Sequence, residues 1–246
     1  MDLNQPLILA IDTATAATSV AITKGTRNDG TVLASLGLSS NVTHSRRLLT
    51  TIAWLMDEVE VTWQDVDAIG VSLGPGSFTG LRIGMATAKG LVTAAGLRLI
   101  GVSTLDSIAA KCVTNRLVCS VLDARKKEVY AAFYRVDESG VMNRICDIEA
   151  ICPKELAAKI HEPVMMIGDG AVVYRDLFSE SLGGDVVFAP SSLHEPSATS
   201  LGMLCGEQFL DGQFLSIDDA APLYVRSSDA ELNLKKKQQA LAATPG

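Results

Sequence analysis

Residues 68–95 constrain the fold more than any other stretch of this chain. Ala68–Leu73 is an apolar, β-branched run that reads as a strand. Gly74-Pro75-Gly76-Ser77-Phe78-Thr79-Gly80 follows as a loop, and Thr79–Ala95 reads as a helix. Along that helix Gly76, Gly80, Gly84 and Ala88 recur every four residues, a strip of small residues that lets another backbone come close. The opposite side carries Leu81, Met85, Leu91 and Val92, and only Arg82, Lys89 and Thr93 form a polar edge. A helix apolar nearly all round has to be covered on more than one side. The expected cover is a mixture: a sheet and helix of the same chain, and in part a second protein.

The glycine loop has two readings. Between a strand and a helix, free N–H groups and the helix dipole would face an anion at Gly74, Gly76 and Ser77. Alternatively it is a tight strand-to-helix turn with Thr79 as the cap. It is not a P-loop, because Thr79 and Gly80 stand where the second Gly and the Lys would be. Nor is it GxGxxG, since Gly80 comes one residue late.

The remaining elements place this unit in an α/β protein of alternating layers. Leu7–Ile11 is an apolar strand stopping at Asp12, Thr18–Thr23 returns as its hairpin partner, and Val32–Leu38 is a third strand. Ser45–Glu60 is a helix with Leu48, Leu49, Ile52, Leu55, Met56 and Val59 on one face. Trp54 lies on the other, as a partner anchor or a half-covered surface residue. Strands Leu97–Val102, Leu117–Leu122, Glu128–Val136, Val141–Ile148, Val164–Ile167 and Val186–Phe188 follow. They are interleaved with helices at Leu105–Cys112, Pro153–Ile160, from about Ala171, and at Ser197–Leu210. The division near Val102–Thr104 leaves two blocks of loosely similar element order. Residues 1–103 are read as a first lobe, 104–226 as a smaller second lobe and 227–246 as a frayed tail.

Composition excludes several classes. The 246 residues carry a net charge of −7, the wrong sign for a general nucleic-acid binder. Apolar residues make up 48% but aromatics only 5%, so the core is aliphatic. No apolar run is long enough for a membrane span. The N-terminus shows no secretion signal, and five cysteines without CxxC spacing read as reduced thiols of a cytoplasmic protein. Three scattered histidines form no HxxxH or HExxH, so a metal site has no local support. Asp12 at a strand end reads as a metal or phosphate-water ligand, or as an acceptor of turn N–H groups. For Asp123-Ala124-Arg125 the default is ion pairing or turn formation.

Ile11-Asp12-Thr13-Ala14-Thr15 followed by Gly74-Pro75-Gly76-Ser77-Phe78-Thr79-Gly80-Leu81-Arg82-Ile83-Gly84 closely resembles the TsaB (YeaZ) family. Ala88-Lys89-Gly90-Leu91, Gly101-Val102-Ser103-Thr104-Leu105, Asp123-Ala124-Arg125, Glu128-Val129-Tyr130 and Pro222-Leu223-Tyr224-Val225-Arg226 extend the match. The resemblance implies an actin-like (ASKHA, ribonuclease H-like) α/β fold with two lobes, each a mixed sheet with flanking helices. It implies a cytoplasmic protein needed for N6-threonylcarbamoyladenosine in tRNA, partnering a catalytic TsaD-like paralogue and a TsaE-like ATPase and serving tRNA indirectly. The paralogue carries a metal-binding HxxxH where this chain has Thr104 and Ile108, which cannot replace imidazole. A non-catalytic scaffold is therefore expected, and a peptidase is disfavoured. The alternative is an ATP-dependent small-molecule enzyme of the same superfamily. Its nucleotide residues would be Asp12, Thr13, Gly74, Gly76, Ser77, Gly168 and Gly170. Because the turn after Asp12 lacks glycine, no cofactor of its own is expected, with ATP or ADP only at the complex interface. The partner surface is expected at Leu48, Ile52, Trp54, Gly80, Arg82, Gly84, Met85 and Ala88. Alone, that surface would pair with itself as a homodimer.

Overall fold

Leu7–Asp12 (β1) is buried at every position, as a strand covered on both faces must be. It is the centre of a five-stranded sheet in a computed structural model that describes residues 5–39, 44–223 and 225. Ala17–Lys24 (β2) and Thr31–Ser39 (β3) continue it antiparallel on one side, with a register shift at Ile22/Thr23. Ala68–Gly74 (β4) and Arg98–Ser103 (β5) extend it parallel on the other. The helices His44–Glu58 (α1) and Phe78–Ala95 (α2) cover one face. Leu9, Ile11, Val20, Ile22, Ile69 and Val71 meet Leu48, Ile52, Met85 and Val92 there.

The second sheet repeats the plan. Leu117–Arg125 (β6), Glu128–Val136 (β7) and Met142–Arg144 (β8) form the antiparallel half. Val164–Ile167 (β10) and Val186–Phe188 (β11) add in parallel on the far side of β6. With the short strand Glu149–Ile151 (β9), which pairs with β7 off this path, set aside, both sheets run third, second, first, fourth, fifth strand within their own halves. The likeness of element order legible in sequence is, but for that added strand, a shared strand order in the structure. Thr104–Ala109 (α3), Pro153–Ala158 (α4), Asp169–Val173 (α5) and Arg175–Leu182 (α6) complete this half.

Three expectations change. Val141–Ile148 is not one strand. Its first part is β8, and Glu149–Ile151 (β9) pairs with the other end of β7. Between them Phe133 turns its N–H to Cys146 Sγ at 3.2 Å and its carbonyl to Ile145 N at 2.9 Å, which breaks the ladder. The helix read at Leu105–Cys112 ends at Ala109. Ala198–Leu210 (α7), in sequence part of the 104–226 block, packs on the first sheet: Ala198, Leu201 and Cys205 bury against Ile8, Ala10, Ala21 and Ile100. Arg27 fastens this return, giving Glu207 two hydrogen bonds of 2.6–2.7 Å and a third to the Met142 carbonyl at 2.9 Å. Tyr224 and the tail 226–246 lie outside the described residues.

Candidate functional site

The two sheets face each other across a cleft of about 330 Å³. The β1–β2 turn (Ala14, Thr15, Ala16) and the start of α2 (Gly76, Ser77, Phe78) form one wall. The other comes from the β6–β7 hairpin (Leu122 to Arg125), Tyr130 and Asp169, with Glu195 closing the floor. Parallel strands end here with their following helices, where α/β sheets place ligands.

The first wall is locked by close backbone packing. Ser77 caps α2, its Oγ accepting Gly80 N at 3.2 Å, while Ser77 N donates to the Ala14 carbonyl at 2.6 Å. Ser77, not Thr79, is therefore the cap, since its extended backbone sets its oxygen over the first turn. Thr13 Oγ1 donates to the Gly80 carbonyl at 2.7 Å. A Cβ added at Gly76 or Gly80 would fall on the carbonyl oxygens of Ala14 and Thr13, and one at Gly84 on Thr13 Oγ1. The small-residue strip is thus filled by the chain's own β1–β2 turn.

Of the seven nucleotide candidates only Gly76 and Ser77 line the cleft. Asp12 and Thr13 are buried beneath it. Gly74 packs on Leu81 and the Leu223 carbonyl. Gly168 has a φ of +104° and lies against the Val121 carbonyl, where no side chain fits. Gly170 packs against the backbone of Leu122 and Asp123. These glycines serve sheet packing, and the residue between them, Asp169, is the one that reaches the cleft.

Sequence reasoning missed the acids there. Asp123, Asp169 and Glu195 all border the cleft. Asp169 accepts Asp123 N at 2.9 Å, and burial raises its pKa. Asp123 accepts Arg125 N at 3.0 Å and pairs with the Arg125 guanidinium at 3.4 Å, the turn and ion-pair role expected of it. Three carboxylates, the hydrogen bonds already made by Ser77 N and Gly80 N, and a turn without glycine do not fit a polyphosphate. Among the described residues no group of three His, Cys, Asp or Glu is placed to hold a metal.

Below the cleft Asp12 is 2% exposed. Oδ1 accepts Ala14 N at 2.9 Å, and Oδ2 has no hydrogen-bond partner among the described residues. Desolvation, opposed by the Ala14 N–H, the Lys111 charge and the nearby Ser72 hydroxyl, raises its pKa to about 6. Lys111 donates to the carbonyls of Leu193, at 2.6 Å, and Glu195. Burial lowers its pKa to about 8.

His194, not singled out from sequence, ties this region together. Its Nδ1 accepts Gly168 N at 3.1 Å, and burial lowers its pKa, so the fold holds the neutral ring. We expect His194→Ala to cost about 1–3 kcal/mol, because Gly168 N is left unpaired. A depressed native pKa means stability present at neutral pH and lost as pH falls through the ordinary value of 6.5. Urea titrations at pH 7.5 and 5.5 should show the gap between wild type and His194→Ala narrowing at the lower pH.

The expected partner surface is corrected in part. Leu48 and Ile52 are each 1% exposed, Met85 4% and Ala88 0%, and Gly80 and Gly84 are buried. All six are consumed by the chain's own sheet and turn. Trp54 is exposed, as is Arg82, whose guanidinium lies 3.9 Å over the Phe78 ring. The exposed part of this layer also includes Leu49, Ala53, Ala86 and Gly90.

Comparison with known proteins places this architecture. Residues 38–234 match the TsaD family, described as tRNA N6-adenosine threonylcarbamoyltransferase. The tRNA threonylcarbamoyladenosine biosynthesis protein TsaB of Escherichia coli is 34% identical over 94% of this chain and 99% of its own length. TsaB of Bacillus subtilis is 25% identical over 94% and 99%. A Pseudomonas aeruginosa crystal structure, of an uncharacterized protein with similarity to peptidase YEAZ, superposes with a TM-score of 0.74 at 29% identity. It covers 90% of this chain and 100% of its own. The mixed sheets, the paired strand orders and the full-length similarity lead to one family: this chain belongs to the TsaB (YeaZ) proteins of tRNA threonylcarbamoyladenosine biosynthesis, within the TsaD-like domain family.

Proposed function

We propose that this chain is the non-catalytic partner of a TsaD-type subunit in forming N6-threonylcarbamoyladenosine in tRNA. It works in the cytoplasm with a TsaE-type ATPase and meets tRNA through the complex. One observation carries the non-catalytic part. Thr104 and Ile108, at the positions of the paralogue's metal histidines, are fully buried in α3. Neither offers a nitrogen to a metal, and the cleft between the sheets, bordered by three carboxylates, does not fit a nucleotide's phosphates. Any ATP or ADP would then sit at the complex interface. No described helix is long and apolar enough to cross a membrane.

The docking face we assign is the outward side of α1 and α2. Leu49 is 57% exposed, Trp54 50% and Phe78 41%, beside the small residues Ala86 and Gly90. Large apolar side chains left in water mark a contact surface, and small neighbours let a partner helix approach. Ala86→Glu places a charge there without touching the core. It should weaken binding to the TsaD-type subunit at least tenfold, read by calorimetry, and leave stability within about 0.5 kcal/mol. The functional test is threonylcarbamoyl transfer to tRNA by the purified TsaD- and TsaE-type proteins with and without this chain. Full transfer in its absence overturns the proposal.

A further inference from the structure

The β6–β7 hairpin is built from unfavourable residues for its turn. Arg125 pairs with Glu128, so Lys126 and Lys127 alone connect the strands. Their φ values are +54° and +65°, and Arg125 beside them is at +63°. A two-residue loop with positive φ at both positions is the type I′ turn. It favours Asn-Gly, because other L side chains crowd the backbone in that conformation. Among the described residues positive φ is otherwise found only at seven glycines and Glu60. Arg125, Lys126 and Lys127 are all exposed, so burial does not offset the strain. A chain that keeps two lysines where Asn-Gly would be more stable has a use for the lysines.

We propose that Lys126 and Lys127 touch the phosphate backbone of the tRNA that the TsaD-type subunit holds, an inference that rests on the function proposed above. The hairpin forms the cleft wall opposite Phe78, and Phe78 belongs to the docking face on α1 and α2. A subunit seated on that face stands across the cleft from the hairpin, and RNA bound to it comes within reach of the tip. Charge sets the path. Asp123, Asp169 and Glu195 repel phosphate from the cleft itself, so the backbone crosses over the tip. Arg125 is engaged by Asp123 at 3.4 Å, and Glu128 stands at the base of the turn. The positive charge is therefore concentrated on Lys126 and Lys127. With −7 overall the chain does not hold RNA by itself. The hairpin adds to an affinity that the partner supplies, and it reads backbone rather than base sequence.

The double substitution Lys126→Asn, Lys127→Gly tests this, since it removes both charges and gives the turn its favoured residues. Thermal melts of the chain should show a higher midpoint, and calorimetry should show unchanged binding to the TsaD-type subunit. Binding of unmodified tRNA to the assembled complex should weaken about tenfold at about 100 mM salt, and the slope of log K against log salt should fall by about two. The charge-keeping Lys126→Arg, Lys127→Arg chain should bind tRNA as wild type does. Unchanged tRNA affinity and slope in the Asn-Gly chain overturn the proposal. So does loss of subunit binding in place of tRNA binding, which would make the hairpin a protein contact. If transfer still requires this chain while the Asn-Gly complex binds tRNA as before, the contact falls and the function stands. Full transfer without the chain removes the function, and the contact with it.

Discussion

Gly80→Ala should destabilise the isolated chain by about 2–4 kcal/mol, and Gly90→Ala, in the same helix, should stabilise it by about 0.5–1 kcal/mol. Propensity alone gives both changes the same sign, since alanine is the better helix former. The surroundings separate them. A Cβ at Gly80 falls on the Thr13 carbonyl, a backbone atom that can move only if the β1–β2 turn moves with it. At Gly90 nothing lies within 4 Å of that position. Displacing the turn also stretches the hydrogen bonds from Thr13 Oγ1 to the Gly80 carbonyl and from Ser77 N to the Ala14 carbonyl. Urea unfolding of the two variants beside wild type reads the difference directly. Equal effects at both positions would mean that α2 does not rest on the turn as described. Because Gly76 and Ser77 line the cleft, Gly80→Ala should also change its shape, while Gly90→Ala leaves it alone.

The same glycines show where a sequence stops informing. A four-residue repeat of small residues says that one side of α2 admits a backbone, but not whose. The filler, Thr13-Ala14, is distant in sequence, so its identity awaits closure of the sheet. On α1 the periodicity grouped Leu48, Leu49 and Ile52. The structure buries Leu48 and Ile52 and leaves Leu49 57% exposed, because the sheet covers a narrower arc than the apolar stripe. Apolar runs such as Leu7–Ile11 and Ala68–Leu73 were legible as strands because burial on both faces leaves no charged position and, but for Ser72, no polar one. Asp12 was legible as the residue ending such a run. The acids of the cleft were not. Asp123 lies near the end of β6, Asp169 opens α5 and Glu195 sits in the loop before α7; each reads locally as a strand end, a helix start or a loop, and only the pairing of β10 with β6 and the closing of the cleft make them neighbours. The return of α7 to the first sheet is of the same kind, since a helix pattern names its apolar face and not the layer that receives it.

Asp12→Asn should make the chain more stable at neutral pH, by up to about 3 kcal/mol, which is unusual for a residue at the heart of a site. A buried carboxylate whose pKa rises from 3.8 to about 6 is disfavoured in its charged form by the fold. Two pKa units at about 1.4 kcal/mol each set the ceiling, and losing the counter-charge to half-buried Lys111 lowers the gain below it. Asparagine keeps an oxygen for Ala14 N and removes the charge left on the unpartnered Oδ2. The sign in pH follows from linkage. Between pH 4 and 6 the native state binds a proton that the unfolded state releases, so the penalty on wild type is full above pH 6 and fades as pH falls toward 3.8. Chemical denaturation of wild type and Asp12→Asn at pH 7.5, 6 and 4.5 should therefore show a gap that is widest at 7.5, slightly smaller at 6 and reduced to about a third at 4.5. A gap independent of pH would mean that the native carboxyl titrates as the unfolded one does, so that burial does not raise its pKa. A natural chain that keeps a destabilising charge under its cleft is paying for something other than stability. Threonylcarbamoyl transfer in the reconstituted complex then gives the second readout: a stabilised Asp12→Asn chain that binds the TsaD-type subunit but supports less transfer would locate the use of that charge in the assembled complex.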